Sequence, residues 1–265
     1  MRRVAAGKGR RGRVARWAGE KSEWEGFERW DFLVAGKMVT VVRPKRAAKG
    51  KPWIWRAQFW AHEPGVDIAL LGRGFHLVFL DSGNTFGCPA AMVEWEELYG
   101  MLVKKHGFSR RPALEGLSRG GLFVYGWAAR HPEAVSCIYA DNAVCDFKSW
   151  PGPKGKAGGS AADWKELQRV YGFKTEAAAL AYRENPIDAL RRLARAKIPV
   201  MHVCGDADET VPYEENSAVL KVRYQKMGGS YCEIMKPGMK HHPHGLVDPA
   251  PIVEFILRET INGER

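Results

Sequence analysis

The sequence predicts an α/β domain in which a mostly parallel sheet carries helices on both faces. Short apolar and β-branched runs alternate along the chain with longer runs of helical spacing, as they do in such domains. A Gly-x-Ser-x-Gly frame at 116–120 stands between one such strand and one such helix. An acidic loop and a histidine-rich loop follow later, each directly after another predicted strand. With 265 residues, the chain is long enough for one large domain whose core needs no cross-links.

The elements of the first half are assigned from residue type and spacing. Residues 39–42 are β-branched, and residues 75–80 are almost entirely apolar, as a buried strand requires. Apolar residues recur at helical spacing between Met92 and Leu102. In chain order we predict strands at 24–34 and 38–44 around an Ala35-Gly36-Lys37 turn, a strand at 53–60, a helix at 66–73, a strand at 75–80, a helix at 90–106 and a strand at 111–115.

The second half continues the alternation. Residues 122–130 form a nearly continuous apolar run that ends at His131-Pro132, which is a helix-stop signal. The excursion between residues 140 and 198 is too long for a plain crossover, so we expect a lid insertion at about 146–195. In chain order we predict a helix at 122–130, a strand at 135–140, helices within 162–195 with a break at Asn185-Pro186, a strand at 198–204, a helix at 214–227, a strand at 231–235 and a helix at 249–258.

The net charge of +11 is concentrated at one end of the chain. Residues 1–19 carry seven arginines and lysines and no acid, so we expect a disordered basic tail at 1–22 and a folded domain at 23–265. No base-reading module follows the tail, so we expect no nucleic-acid partner. Neither an export signal after Arg2-Arg3 nor an apolar run of membrane-spanning length is found, and we therefore expect a cytoplasmic protein without a membrane partner.

The five cysteines are scattered and form no Cys-x-x-Cys pair. This distribution argues against a disulfide framework and against a structural zinc site. We expect the cysteines to be small buried apolar residues.

Ser118 is the first candidate catalytic residue. A Gly-x-Ser-x-Gly frame between a strand and a helix predicts a nucleophile elbow, a sharp turn that exposes the serine hydroxyl. We expect side chains at Gly116 and Gly120 to collide with the turn. An ordinary glycine-rich turn before a core helix is the alternative, and the later partners of the serine decide between the two.

Two later loops offer those partners. Three acids, Asp206, Asp208 and Glu209, follow the strand at 198–204, and any of them could orient a histidine. His241, His242 and His244 follow the strand at 231–235, and one of them could act as the general base for Ser118. Metal binding is the alternative for this tract, but the sequence shows no matching cluster of ligands, so we expect no metal. The other histidines, 62, 76, 106, 131 and 202, are isolated in sequence and are expected to be structural.

The chain resembles the α/β-hydrolases over roughly residues 25–260. The resemblance rests on Gly-Leu-Ser-Arg-Gly-Gly at 116–121, Gly-Asp-Ala-Asp-Glu-Thr-Val-Pro at 205–212 and Gly-Met-Lys-His-His-Pro-His at 238–244. It implies Ser118, Asp208 and His241 as a catalytic triad in the family's chain order, with Asp206 as the reserve acid and His242 and His244 as poorer fits. It also implies an eight-stranded, mainly parallel sheet and hydrolysis through an acyl-enzyme without a cofactor.

The resemblance implies an oxyanion hole, but here the chain departs from the usual motif. The segment 53–60 contains no His-Gly sequence that would donate a backbone N–H, so we expect the second donor near Arg56 and the first at the backbone of Arg119. Glucuronoyl esterases have a similar Ser-Arg pair whose arginine helps hold the oxyanion, which makes the Arg119 side chain a second candidate. A surface arginine at a helix start is the alternative.

We expect a carboxylesterase, with an acylated carbohydrate or another small ester as the partner. Four tryptophans, Trp53, Trp55, Trp60 and Trp150, lie in segments that could border the site, although aromatic residues are also ordinary core. A peptidase of the prolyl-oligopeptidase type is the first alternative, which the lack of a propeller domain weakens. A non-catalytic binding protein on the same fold is the second, and a complete triad argues against it.

Overall fold

The structure is a computed structural model that describes residues 17–261. Residues 1–16 of the expected basic tail therefore lie outside the described residues. Residues 20–22, which we also assigned to the tail, belong to the first strand, so the sheet begins before the expected boundary.

Between residues 17 and 261, nine strands form one sheet, and the predicted α/β-hydrolase architecture is confirmed with one strand more than the resemblance implied. The strands are β1 (Glu20–Trp24), β2 (Phe27–Val34), β3 (Lys37–Arg43), β4 (Trp53–Arg56), β5 (His76–Leu80), β6 (Ala113–Leu117), β7 (Cys137–Asp141), β8 (Val200–Gly205) and β9 (Tyr231–Lys236). Their order is β1-β2-β3-β5-β4-β6-β7-β8-β9. The strands from β4 to β9 are parallel, whereas β1, β2 and β3 join the sheet through antiparallel pairs.

The ninth strand arises because a hairpin turn lies at the start of the segment predicted as one strand at 24–34, so that residues 20–24 form a strand of their own. Trp24 pairs with Phe27 across a two-residue turn, in which Glu25 and Gly26 have φ of 51° and 75°. Two positive φ values give a turn whose twist matches that of the flanking strands. Ala35 and Gly36 repeat this geometry at the next turn, which the sequence did predict. Glu25 is not a typical residue for such a position, so the first turn was missed.

Eight helices of the described residues cover both faces of the sheet. They are α1 (Gly65–Gly72), α2 (Pro89–His106), α3 (Gly120–Arg130), α4 (Ala161–Tyr171), α5 (Glu176–Leu180), α6 (Leu190–Arg195), α7 (Ser217–Lys226) and α8 (Ala250–Ile261). Buried residues of α2, α3, α6 and α7 share one core cluster, and those of α1 and α8 share a second. Between residues 17 and 261, no helix combines the length and the hydropathy that a bilayer crossing needs.

The expected lid segment contains three short helices instead of one interrupted helix. The Ser160 hydroxyl accepts the Asp163 N–H at 3.3 Å and starts α4, which ends at Gly172 with φ of 75°. The Thr175 hydroxyl accepts the Ala178 N–H at 3.2 Å and starts α5. These caps fix the starts of α4 and α5, and Gly172 ends α4, so the helical segment is divided between them.

Two expectations from the sequence need correction: that Trp53, Trp55 and Trp60 border the site, and that every cysteine is buried. Trp53 and Trp55 are fully buried in the core below the sheet, where Trp55 stacks on Trp95 at 4.0 Å between ring centroids, so they do not border the site. Trp60 packs against Trp24 at 5.1 Å. All five cysteines are free, and four are buried as expected, but Cys232 is exposed.

Arg56, at the end of β4, is 0% exposed and joins four parts of the fold. Its Nη1 donates to Asp67 Oδ2 of α1 at 2.5 Å and to Glu115 Oε1 of β6 at 3.0 Å. Its Nε donates to the carbonyl of Phe59 at 3.1 Å, and its Nη2 donates to the carbonyl of His62. A single cation therefore fixes two strands, a helix and the loop at 57–63.

The charges of this cluster depend on one another. Burial raises the pKa of Glu115 well above its usual range, and the neighbouring Asp67 adds to the shift. Burial alone would lower the pKa of Arg56, but Asp67 and Glu115 outweigh it and raise that pKa. Arg56 is thus charged, and it is the only cation in contact with these two buried carboxylates among the described residues.

Replacing Arg56 by methionine should lower the free energy of unfolding by about 3–5 kcal/mol, because the buried acids Asp67 and Glu115 would lose their cationic partner. Urea unfolding measures the change. The matched control is Arg43→Met, which breaks an ion pair to Glu28 whose side chains are 42% and 29% exposed, and it should cost less than about 1 kcal/mol. Equal losses in the two variants would contradict the structural role of Arg56.

Candidate active site

Ser118 directly follows β6 in a left-handed backbone conformation with φ of 48°. A non-glycine residue rarely adopts this conformation, and surrounding bonds must hold it there. The Ser118 N–H donates to the Asp141 carbonyl at 2.9 Å, and the Ser118 carbonyl accepts N–H groups from Gly121 at 3.0 Å and Val144 at 2.9 Å. The turn therefore has the geometry of the predicted elbow.

Only one of the two glycines singled out from the sequence is sterically required. A Cβ at Gly116 would lie 2.8 Å from a methyl of Val124 and 3.0 Å from the backbone of Gly120. A Cβ at Gly120 would meet nothing closer than Ala57 Cβ at 3.6 Å, so the expected collision there is wrong. The second tight position is Gly121, whose Cβ would lie 2.6 Å from the Val144 carbonyl oxygen.

The structure brings Ser118, His241 and Asp208 into one hydrogen-bonded chain. Ser118 Oγ lies 2.9 Å from His241 Nε2, and His241 Nδ1 lies 2.7 Å from Asp208 Oδ2. All three residues are buried. The other carboxylate oxygen of Asp208 accepts the N–H groups of Thr210 and Val211, each at 2.8 Å. These two N–H groups and the ring contact orient the carboxylate toward the imidazole, an arrangement that can activate a serine hydroxyl.

The remaining acids and histidines occupy other places. Asp206 Oδ1 accepts the Gly238 N–H at 2.6 Å, so it ties the acid loop to the histidine loop and does not contact His241. Glu209 forms an exposed ion pair with Lys240 at 3.2 Å. His242 is exposed, and His244 Nδ1 donates to Asp141 Oδ1 at 2.8 Å. Of the three clustered histidines, His241 alone reaches Ser118.

Asn142 is a site residue that sequence reasoning missed. Its Nδ2 donates to the carbonyl of His241 at 2.8 Å, and its Oδ1 accepts the Gly205 N–H at 2.8 Å. It therefore joins the ends of β7 and β8 to the loop of the histidine. The local signal that could have found it is the residue type: asparagine tolerates a positive φ after a strand, and the φ of Asn142 is 42°.

Two backbone N–H groups beside Ser118 have no hydrogen-bond acceptor within residues 17–261: those of Arg119 and Gln58. The nitrogen of Gln58 lies 4.0 Å from the position that a Cβ on Gly120 would take, so it borders the elbow. The guanidinium of Arg56, in contrast, is fully engaged with two carboxylates and two carbonyls. The side chain of Arg56, near which the second oxyanion donor was expected, instead supports the loop in which Gln58 lies.

The side chain of Arg119 is fixed against aromatic rings. Its Nη1 donates to Asn84 Oδ1 and lies 3.7 Å from Asp163 Oδ1 of α4, and its Nε has no acceptor among the described residues. Burial lowers the pKa of Arg119, whose side chain is 22% exposed. The guanidinium carbon lies 5.4–5.6 Å from three ring centroids, those of Phe59, Phe86 and Trp150. Of the tryptophans expected at the site, Trp150 is the one that contacts it.

Three histidines form a second cluster beside the catalytic candidates. One ring nitrogen each of His62, His242 and His244 lies within 4.8 Å of those of the other two. The rings of His242 and His244 are 4.9 and 5.1 Å from that of His241. The expectation that His62 is isolated is wrong, because the loop after β4 returns to the histidine loop. Burial, with the neighbouring histidines, lowers the pKa of His62 and of His242.

The model of the prolyl oligopeptidase family matches residues 101–258, which is more than half of the chain and includes Ser118, Asp208 and His241. No curated protein sequence matches the chain.

Solved structures share the fold at low sequence identity. Porphyromonas gingivalis dipeptidyl peptidase 4 is 13% identical with a TM-score of 0.65, over 88% of this chain and 35% of its own. Pyrococcus horikoshii acylaminoacyl peptidase is also 13% identical, with a TM-score of 0.64 over 88% of this chain and 42% of its own. Mycobacterium tuberculosis MPT51 is 16% identical, with a TM-score of 0.64 over 88% of this chain and 98% of its own. The chain thus spans less than half the length of these two peptidases.

The glycines of the elbow provide a matched test. Gly121→Ala should lower the free energy of unfolding by about 1–3 kcal/mol, because its methyl would enter the space of the Val144 carbonyl. Gly120→Ala meets only ordinary contacts at 3.6 Å and replaces a helical glycine, so it should be neutral or stabilising by up to about 1 kcal/mol. Denaturant unfolding of both variants measures the difference. Greater damage from Gly120→Ala would contradict the described packing.

Proposed function

Because the chain belongs to the prolyl oligopeptidase family of serine hydrolases, we propose that it cleaves carboxylic esters through an acyl-enzyme on Ser118. The observation that carries the proposal is the continuous chain of hydrogen bonds from Asp208 through His241 to Ser118 Oγ. It stands at the carboxyl ends of β6, β8 and β9, the edge of the sheet where α/β proteins place working side chains.

The proposed reaction uses each member of this chain in turn. His241 Nε2 takes the proton of Ser118 Oγ while that oxygen attacks the ester carbonyl, and Asp208 stabilises the imidazolium through Nδ1–H. Collapse of the tetrahedral adduct expels the alcohol, which receives the proton from His241. Water then repeats the sequence on the acyl-enzyme, and the carboxylic acid leaves with Ser118 restored.

In the transition state the carbonyl oxygen of the ester becomes an oxyanion, and the protein must donate hydrogen bonds to it. The backbone N–H groups of Arg119 and Gln58 are unpaired beside the elbow, and we assign them to this role. The guanidinium of Arg119 adds positive charge from the adjoining aromatic wall of Phe59, Phe86 and Trp150. Such a wall with one cation suits an ester whose acyl or sugar part has both apolar faces and polar oxygens, which supports an acylated carbohydrate as substrate.

A serine peptidase is the second candidate, and the family match favours it. The same serine, histidine and aspartate can cleave an amide, with an amine in place of the alcohol as the leaving group. A panel of acyl esters, acylated sugars and chromogenic peptides distinguishes the candidates. Turnover of esters at a higher kcat/KM than peptides supports the esterase, and turnover of peptides alone would replace it by the peptidase.

Ser118→Ala should reduce kcat for a short-chain p-nitrophenyl ester by about 10⁶-fold, because the nucleophile is lost while the rest of the site remains. The serine makes no side-chain bond besides that to His241 among the described residues, so the variant should fold, which thermal unfolding can check. Activity close to that of the wild type would refute Ser118 as the nucleophile and with it the acyl-enzyme.

The two acids of the loop after β8, Asp208 and Asp206, allow a matched comparison of kcat. Asp208→Asn keeps an acceptor for Thr210 and Val211 but presents an amide to His241, which favours the wrong tautomer and should cost about 10⁴-fold in kcat. Asp206→Asn keeps its acceptor for the Gly238 N–H and should change kcat by less than about tenfold. The reverse ranking would move the acid of the triad to Asp206.

Arg119→Met should lower kcat by about 10²–10³-fold and leave KM within a few-fold, because the guanidinium is assigned to charge that develops only in the transition state. Methionine has a similar length and can pack against the same three rings. Steady-state kinetics on one ester separate the two parameters. A rise in KM at constant kcat would instead make Arg119 a ground-state binding residue.

A further inference from the structure

The three-histidine cluster lies outside the proposed catalytic chain and has no part in it. We propose that His62, His242 and His244 bind one divalent transition-metal ion, with Zn²⁺ as the best chemical match. Neutral imidazoles are the preferred ligands of such ions, and three histidines with an open fourth position form a known type of zinc site. One ring nitrogen of each residue already lies within 4.8 Å of the other two.

The ring arrangement favours convergence on one point. Each pair of rings is nearly perpendicular, at 90°, 82° and 79°, so the rings do not stack on one another. Tetrahedral zinc with Zn–N bonds of about 2.0–2.1 Å holds its nitrogens about 3.3 Å apart, so the cluster must contract by up to about 1.5 Å. His62 and His242 are exposed and their rings make no hydrogen bond among the described residues, which leaves them free to rotate.

His244 is oriented in the way that a metal-binding histidine usually is. Its Nδ1 donates to Asp141 Oδ1 at 2.8 Å, and since a carboxylate can only accept, Nε2 carries the lone pair that a metal needs. Asp141 is itself fixed, because its second oxygen accepts the Gly245 N–H at 2.8 Å. A carboxylate behind a ligating imidazole sets the tautomer and raises the affinity of the site.

The loops that carry the ligands are held independently of any metal. The carbonyl of His62 accepts a hydrogen bond from buried Arg56, and Lys236 Nζ donates to the carbonyls of Pro243 at 2.8 Å and Gly245 at 3.3 Å. These two cations stand near the site, but each is paired with buried carboxylates, Arg56 with Asp67 and Glu115, and Lys236 with Asp141 at 3.6 Å. The cluster is therefore preformed, and metal binding requires only side-chain rotation.

Calorimetric titration of the chelator-treated full chain with Zn²⁺ tests the proposal. We expect one zinc per chain, and we expect His62→Ala and His242→Ala each to weaken the affinity by at least about tenfold. Both residues are exposed, so neither replacement should prevent folding. His131→Ala is the matched control, because His131 is a partly exposed histidine outside the cluster that bonds to Glu96, and it should leave the affinity unchanged.

Two further measurements do not depend on catalysis. Zinc should raise the Tm of the wild type but not that of His62→Ala or His242→Ala, since a ligand stabilises only the state that binds it. Co²⁺ should give the intense visible bands of a four- or five-coordinate ion in the wild type and lose them in the same two variants. Ser118→Ala should behave as the wild type in both, so this proposal can fail or succeed separately from the proposed hydrolysis.

Three results would overturn the assignment. One is the absence of any heat of zinc binding to the wild type. Another is an affinity that His62→Ala and His242→Ala leave intact. The last is a tenfold loss in His241→Gln together with intact binding in His62→Ala, which would place the ion on the catalytic histidine instead.

Discussion

The proposed active site and the three-histidine cluster both depend on one buried cation, Arg56. Arg56 joins β4, β6 and α1 through two carboxylates, and it also fixes two carbonyls of the loop that follows β4. That loop contains three non-glycine residues with positive φ, Phe59, Ala61 and Glu63, a conformation that free chain would rarely adopt. The guanidinium holds the loop in this shape, and so places the Gln58 N–H beside the elbow and His62 beside the histidine loop.

The proposed active site combines contributions from four neighbouring parallel strands. Ser118 directly follows β6, β7 ends at Asp141 and is followed by Asn142, β8 leads to Asp208, and β9 leads to His241. No two of these residues are close in sequence except Asp141 and Asn142. Their hydrogen bonds tie adjacent strand ends to one another, so the sheet itself maintains the distances that proton transfer from Ser118 requires.

The sequence predicted those features of the fold and the site that depend on short stretches of neighbouring residues. The fold class and the loops that carry Ser118, Asp208 and His241 followed from short patterns after strands, and the resemblance to the α/β-hydrolases selected Asp208 and His241 within those loops. Gly121, Asn142 and His62 were missed, because their roles come from contacts with residues 23 to 182 positions away that no local pattern records. Arg56 was noticed for its position near the elbow, but its burial with Asp67 and Glu115 gave it a supporting role that only the packing reveals.

The main chain and the side chain of Asp141 bind different parts of the site. Its carbonyl accepts the N–H of Ser118, whereas its carboxylate accepts from His244 and Gly245. A substitution at this position keeps the carbonyl and changes only the carboxylate, so the elbow is insulated from sequence drift there while the histidine cluster is not. A replacement of the Asp141 side chain therefore acts on His244 and Lys236 and leaves the main-chain bond to Ser118 in place.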